Sequence, residues 1–514
     1  MAKAPVYSTS FLSIYFVFAA LEVLLMSGIT YGWASIAFLF KEEGFFGFLC
    51  QAVNRTLESS QESQEKNEAC LPQEQRLNLV FNVGVALLCG SKLLIGAFTD
   101  RYGPRFSQMV GGFLYVSAGF GLAFTTKENS NVLFFIFSTF CVGGGFIAVA
   151  KYQVSRIIYR KSKSLALSVL HGAFDSSAAV LLIFKVIHER GVSMKLISLF
   201  YTSLCLVLII ISTILLTPSH KTLLAIVKEE EMGDAVKEIA KSRRYSATES
   251  IDSISFPDEH AYKSIHQKIL RIPETLKESI CFPLYIYELL FLSVMQLKLW
   301  FYIGSLEELL KIIFKNDSES VDYYTTLFGY MQLCGILTGP VVGCIFDRGL
   351  IKFSKSYNEN ETLLLASPIR GHLIRMKQSI LPFLLTSMLG IILSLLSIIK
   401  WKPGLIISFV LHVVIRGFLY ASHAAFIGLA FKPQYFGTLY GLGIFLAGLV
   451  GLLEYFLYTV THIWLYGDPF LINLVLLVLV VLTTIYVYHL TRHCKRIEED
   501  IHHSVLMYGT ETHS

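Results

Sequence analysis

His412, Arg416, Tyr420 and His423 follow one another at intervals of four, four and three residues. On a helix this spacing lines them along one face. His171 and Asp175 are four apart and share a face in the same way, and Phe174 and Ser176 flank the carboxylate. All lie within long apolar runs, as do Glu22 and Gln296. An ionisable group far from water is expensive, so these side chains must pair with one another or border a wetted interior. A carboxylate, a hydroxyl, an amide and aromatic faces together suit a small planar or zwitterionic solute, held by edge hydrogen bonds and by stacking. The set Glu22, His171, Phe174, Asp175, Ser176, Gln296, Arg416, Tyr420 and His423 is therefore expected to bind solute, or in part to form an ion-pair network that shapes its chamber. Lys92, Lys185, Glu288, Lys298 and Glu454 lie nearer the run ends and are expected to reach the interface. No His-x-x-x-His with a nearby carboxylate occurs in an apolar run, and Gly90–Ser91–Lys92 lacks the preceding glycine of a nucleotide-binding loop. Neither an enzyme nor an ATP-driven machine is expected, and no cofactor or metal.

The elements that position these residues follow from composition. Of 514 residues, 54% are hydrophobic and only 16% charged, against about a quarter charged in an ordinary soluble domain. Mean hydropathy is +0.57. Apolar runs give twelve spans, each needing about 20 residues to cross a bilayer. The first six cover 11–39, 77–98, 107–125, 132–150, 164–187 and 196–217. The second six cover 280–303, 323–346, 379–399, 404–431, 437–461 and 469–491. The expected organisation is an all-α membrane protein. A six-helix bundle fills 1–217, a charged connector 218–279, a second bundle 280–491, and a tail 492–514. The first run is too long for a signal-peptide core and is read as a retained span.

With both termini in the cytosol, inside segments hold 28 Lys and Arg and outside loops 11, the asymmetry expected of an inserted protein. The loop 40–76, outside in this orientation, carries the sequon Asn54–Arg55–Thr56 together with Cys50 and Cys70, and the loop 304–322 carries Asn316–Asp317–Ser318. Glycosylation at Asn54 and Asn316 and a Cys50–Cys70 disulfide are expected of an oxidising exterior. The plasma membrane is the expected residence. The other seven cysteines lie in or beside apolar runs and read as small core residues.

The two halves echo each other. Gly96–Ala97–Phe98–Thr99–Asp100–Arg101 ends span 2, and Gly343–Cys344–Ile345–Phe346–Asp347–Arg348 ends span 8. With Gly103 and Arg105, the first copy resembles the loop signature of the major facilitator superfamily. The resemblance implies two parallel six-helix repeats, and a gating role for Gly96, Asp100, Arg101, Gly103, Arg105, Asp347 and Arg348. A narrower resemblance, to solute carrier family 43, covers most of the chain. It rests on Gly32–Trp33–Ala34–Ser35, Lys41–Glu42–Glu43–Gly44–Phe45–Phe46, Gly172–Ala173–Phe174–Asp175–Ser176–Ser177, Arg416–Gly417–Phe418–Leu419–Tyr420, Phe436–Gly437–Thr438–Leu439–Tyr440 and Gly467–Asp468–Pro469–Phe470. One branch of that family carries large neutral amino acids without ion coupling, and the other equilibrates nucleobases. Spans 5 and 10 are more similar to the nucleobase branch. His171 and His423 stand where that branch is expected to carry Asn, and Ala178 where it carries Ser. The resemblance implies a facilitator of purine nucleobases such as adenine, guanine and hypoxanthine, working by alternating access. The alternative is a sodium-independent uniporter of large neutral amino acids. The partners expected are the solute and the bilayer, with no nucleic acid, and the chain is expected to be a monomer.

Overall fold

In hydrocarbon each backbone N–H and C=O must find its partner within its own segment, so a long apolar run has little choice but to be helical. The structure, a computed structural model, describes residues 8–50, 71–159, 163–227, 273–315, 317–346 and 368–510. All the regular elements among them are helical. Among the described residues nine helices are long and apolar enough to cross a bilayer, and two bent pairs raise the number to eleven. The bent pairs are Gln75–Gly90 with Lys92–Tyr102 (span 2) and Glu319–Gly335 with Thr338–Phe346 (span 8). Span 1 is a shorter apolar helix, Thr9–Met26, continued by a tight turn at Ile29–Gly32 and a second helix, Trp33–Glu42.

Several ends differ from those expected. Span 4 runs from Val132 to Ile158, past the expected end at 150. Lys151, Gln153 and Arg156 are thereby buried within it. The last helix, Thr484–Thr510, continues past 491. Cys494 and Ile497 on it are buried, and Glu498 pairs with Lys377 of span 9 at 2.7 Å. That apolar face and ion pair keep helical a stretch whose charges had marked it as tail. Cys50 is disulfide-bonded, and the other cysteines of the described residues are free. Asn54, Cys70, Asn316, Asp347 and Arg348 lie outside the described residues, as does most of the connector.

Within the first half, span 3 (Pro104–Phe124) packs on spans 4 and 6, and spans 1 and 2 pack on span 4. Within the second, span 9 (Pro368–Ile399) packs on spans 10 and 12, and span 7 (Pro283–Gly304) on span 11. The halves meet along two seams. Span 2 lies on span 11 (Phe436–Gly451), and span 5 (Lys163–Ser176, then Ala179–Glu189) lies on spans 8 and 10.

Close approach along both seams rests on the repeated glycine. A Cβ at Gly96 would stand 1.9 Å from the Gly437 carbonyl oxygen of span 11. A Cβ at Gly343, its counterpart in the second copy, would stand 2.5 Å from Leu165 Cα of span 5. Small residues let membrane helices approach backbone to backbone.

Candidate functional site

Four spans break where they touch one another. Span 1 turns at Gly28, whose N–H donates to Ser177 Oγ at 3.1 Å. A Cβ on Gly28 would meet the Phe174 carbonyl oxygen at 2.2 Å. Span 5 is interrupted between Ser176 and Ala179. Span 8 tightens at Leu333–Leu337, and Ser176 Oγ donates to the Leu333 carbonyl at 3.0 Å. Span 2 is interrupted at Ser91, and the next residue, Lys92, sets its ammonium over the Phe174 ring, 5.5 Å from the centroid. Irregular backbone at this depth is tolerated only when buried in protein or bordering a wetted space.

At this junction Arg416 of span 10 (Lys402–Ala430) reaches across to Asp175. Its Nη2 is 3.0 Å from Asp175 Oδ1, its Nε donates to the same oxygen at 3.1 Å, and Nη1 donates to Gln332 Oε1 at 3.1 Å. The guanidinium stands 4.7 Å from the centroid of Tyr31, whose ring meets Phe174 edge-on at 5.9 Å. Phe174, Tyr31 and Tyr420 remain half-buried, and Tyr420 donates to Gln296 Oε1 at 3.2 Å. A charge pair this far from water holds only when hydrogen bonds and geometry offset its desolvation. Here two nitrogens share one carboxylate oxygen and a third finds an amide.

Beside the pair runs a chain of rings. His171 stacks on Tyr152 at 4.2 Å. Its Nδ1 lies 2.8 Å from the Leu167 carbonyl, which fixes the proton on that nitrogen, so Nε2 accepts from Tyr440 OH at 3.1 Å. Tyr440 stacks on His423 at 5.3 Å, and His423 Nδ1 is 2.7 Å from Glu288 Oε1 of span 7. His412 stacks on Tyr302 at 5.3 Å and meets Gln332 Nε2 at 3.0 Å. The chain ties spans 4, 5, 7, 10 and 11 together.

Glu22 is held elsewhere. It pairs with Lys151 of span 4 at 2.5 Å, both side chains fully buried. Gln108 donates to it at 3.2 Å, as does Ser212 at 2.9 Å. All these partners belong to the first half, whereas Asp175 and Arg416 join the two halves, so a single network of Glu22, Asp175 and Arg416 is not what forms. The run-end reading fails for Lys92, Glu288 and Lys298, which are 3%, 0% and 0% exposed. Lys298 donates to Asn473 Oδ1 at 2.8 Å. Span 2 is longer and more bent than its apolar run, and in span 7 Glu288 meets His423 of span 10 and Lys298 meets Asn473 of span 12, so neighbouring helices enclose these groups. Lys185, by contrast, remains partly exposed beside Glu189. Lys151, Tyr31, Tyr152, Gln332 and Tyr440 were not singled out from sequence. Polar residues beyond an apolar run, and tyrosines within one, give no signal of which neighbour they meet.

The loop signature works across the second seam. Asp100 accepts from the Gly437 and Thr438 amides at 2.9 and 2.6 Å and from Thr438 Oγ1 at 2.7 Å. Span 11 has no capping side chain of its own. A carboxylate from the other half therefore satisfies its free N–H groups and complements its dipole. Gln153 of span 4 donates to the same carboxylate at 3.0 Å. Arg156, also of span 4, donates to the carbonyls of Gly428 and Phe431 at 2.8 and 2.9 Å, at the end of span 10. One half thus caps an incoming and an outgoing helix end of the other. Gly103 adopts φ +88° and turns span 2 into span 3. Arg105 stays within its own half, on the carbonyls of Thr213 and Ile214 at 2.9 and 2.7 Å. Arg101 is exposed and stands over the ring of Tyr102, 5.5 Å from its centroid.

A cavity of about 20 Å³ lies in the first half, among Trp33, Phe40, Phe137 and Leu181. It is too small and too apolar for a polar solute.

Two parallel halves joined at seams 2–11 and 5–8, with broken helices around a central ion pair, form one architecture. The family model described as the Major Facilitator Superfamily matches residues 72–368. The chain belongs to this superfamily. Its fold also matches a solved major facilitator, a proton:xylose symporter, XylE, with a TM-score of 0.55 at 12% identity, covering 94% of this chain and 96% of that one. The chain is 30% identical over 483 residues to an equilibrative nucleobase transporter 1 of Bos taurus, covering 93% of this chain and 95% of the relative. It is 26% identical to a large neutral amino acids transporter small subunit 3 of Mus musculus, covering 90% of each. This major facilitator is thus a multi-pass membrane transporter of a small-molecule solute, not an enzyme.

Proposed function

We propose that this major facilitator equilibrates purine nucleobases, adenine, guanine and hypoxanthine among them, across the plasma membrane. The observation that carries the reading is the junction of broken helices at Asp175. There a carboxylate, two cations, an amide and half-buried aromatic rings converge at the seam between the halves. A purine offers donors and acceptors on its edge and two faces for stacking, which this set matches. The likeness to the nucleobase transporter of Bos taurus, over nearly the whole of both chains, supports it.

A site at the seam is opened to either side when the halves rock. The Asp100 and Arg156 contacts serve as the latch that holds one side shut, and Asp347 and Arg348 are its counterpart in the second half. The face bearing that latch is cytosolic on the distribution of Lys and Arg. The bundles 1–217 and 280–491 are the moving bodies.

A second reading, large neutral amino acid transport, draws on the Mus musculus relative and on Arg416 and Asp175 as anchors for a carboxylate and an amine. The test is uptake of labelled adenine by the purified protein in proteoliposomes. Competition by unlabelled hypoxanthine but not by leucine is expected. Competition by leucine alone, or leucine uptake without adenine uptake, would sink the nucleobase reading.

A further inference from the structure

The central cluster contains two cations in different situations. Arg416 is committed, with its nitrogens divided between Asp175 and Gln332. Lys92 is not. It is 3% exposed, yet among the described residues its ammonium has no hydrogen bond and no ion pair: the face of Phe174 lies at 5.5 Å, and the Cys89 and Cys141 thiols are its near neighbours. Its Nζ is not sealed off completely, and what little surface the side chain keeps lies at this junction. The backbone around it is tightly held. Lys92 is the first helical residue after the break in span 2. Span 11 lies so close that a Cβ on Gly441 would stand 2.2 Å from the Lys92 carbonyl, which holds the main chain in place. Gly145 of span 4 leaves room beside the ammonium, since a Cβ there would lie 3.5 Å from Nζ. A buried amine with unused N–H groups is costly unless something accepts from it.

We propose that Lys92 is a solute-contacting residue that selects 6-oxopurines over 6-aminopurines. This rests on the nucleobase reading and deepens it. A lysine amine only donates when charged. Hypoxanthine and guanine present two adjacent acceptors, O6 and N7, on one edge, and this is the edge that Lys and Arg favour in guanine. Adenine offers N7 there beside an N6 amino donor, which opposes an N–H pointing at it. The Phe174 and Tyr31 rings, in edge contact at 5.9 Å, lie where the purine plane would rest. A site with an unused donor discriminates sharply between analogues that do and do not accept from it.

The experiment measures hypoxanthine and adenine uptake side by side in the same proteoliposomes, for the wild type and for Lys92→Met, Lys92→Gln and Lys92→Arg. Because the ratio of the two solutes is read, differences in the amount of folded protein cancel. The hypoxanthine-to-adenine ratio is expected to fall about tenfold in Lys92→Met and Lys92→Gln and to recover in Lys92→Arg. In parallel, thermal stabilisation of the wild-type protein is expected to be larger with hypoxanthine than with adenine, a readout independent of how any variant folds. An unchanged ratio in a variant that transports either base, or equal or reversed stabilisation of the wild type, would overturn the role of Lys92. Transport of leucine with no purine transport at all would instead overturn the nucleobase reading itself.

Discussion

Asp175 and Arg416 illustrate how much a single buried contact can carry. The pair is the main charged link between spans 5 and 10, and each group is desolvated by the other's surroundings. Removing one partner strands the other, which typically costs about 3–5 kcal/mol. Asp175→Ala is therefore expected to lower the unfolding temperature and to cut uptake at least about tenfold. Asp175→Asn combined with Arg416→Gln removes both charges. It should recover much of the thermal stability while leaving uptake low. Full uptake by the neutral pair, measured in proteoliposomes with matched protein content, would mean that the charges only shape the interior. The residue scale was partly legible. Polar types in an apolar run marked Asp175 and Arg416, but nothing in the spacing paired them, and Glu22 was paired differently from the expectation.

Helix ends and helix seams set the next scale. Span 11 begins without a cap of its own, and Asp100 supplies one from the opposite half. A cap with its dipole contribution is worth about 1–2 kcal/mol, enough to move a two-state equilibrium roughly 5- to 30-fold. Asp100→Ala is expected to bias the protein away from the closed latch. Gly96→Val should do so more strongly, since its Cβ would stand 1.9 Å from the Gly437 carbonyl oxygen. A cysteine introduced at the buried Ala430, next to the carbonyls that Arg156 holds, reports the change. It should react faster with a water-soluble maleimide in both backgrounds. Unaltered labelling would show that the 2–11 seam does not gate that face. The signature was readable because its residues are contiguous. That the Asp100 carboxylate would land on span 11 was not, because the contact joins residues 337 positions apart.

For the molecule as a whole, the two halves need internal rigidity as well as a mobile seam. The Glu22–Lys151 pair, with Gln108, Ser212 and Thr217 around it, ties spans 1, 3, 4 and 6 into one body. Its members all lie on one side of the seam, so it should govern the stability of the first half and leave solute choice alone. Glu22→Gln and Lys151→Met are each expected to destabilise the protein by about 3–5 kcal/mol, and the double variant by less. The order in which hypoxanthine and adenine compete should be the same in all three. A changed order would place this pair in the solute path after all.

The amino-acid order by itself determined the spans, the repeat and the polar stripes, because hydropathy and helical spacing are local or additive along the chain. Tertiary structure decided where helices break, which charges are deep and which partner each one meets. The physical reason is that a buried charge is settled by its neighbours across the bundle. Those neighbours come from segments far apart in sequence, brought to one depth only when the halves close on each other.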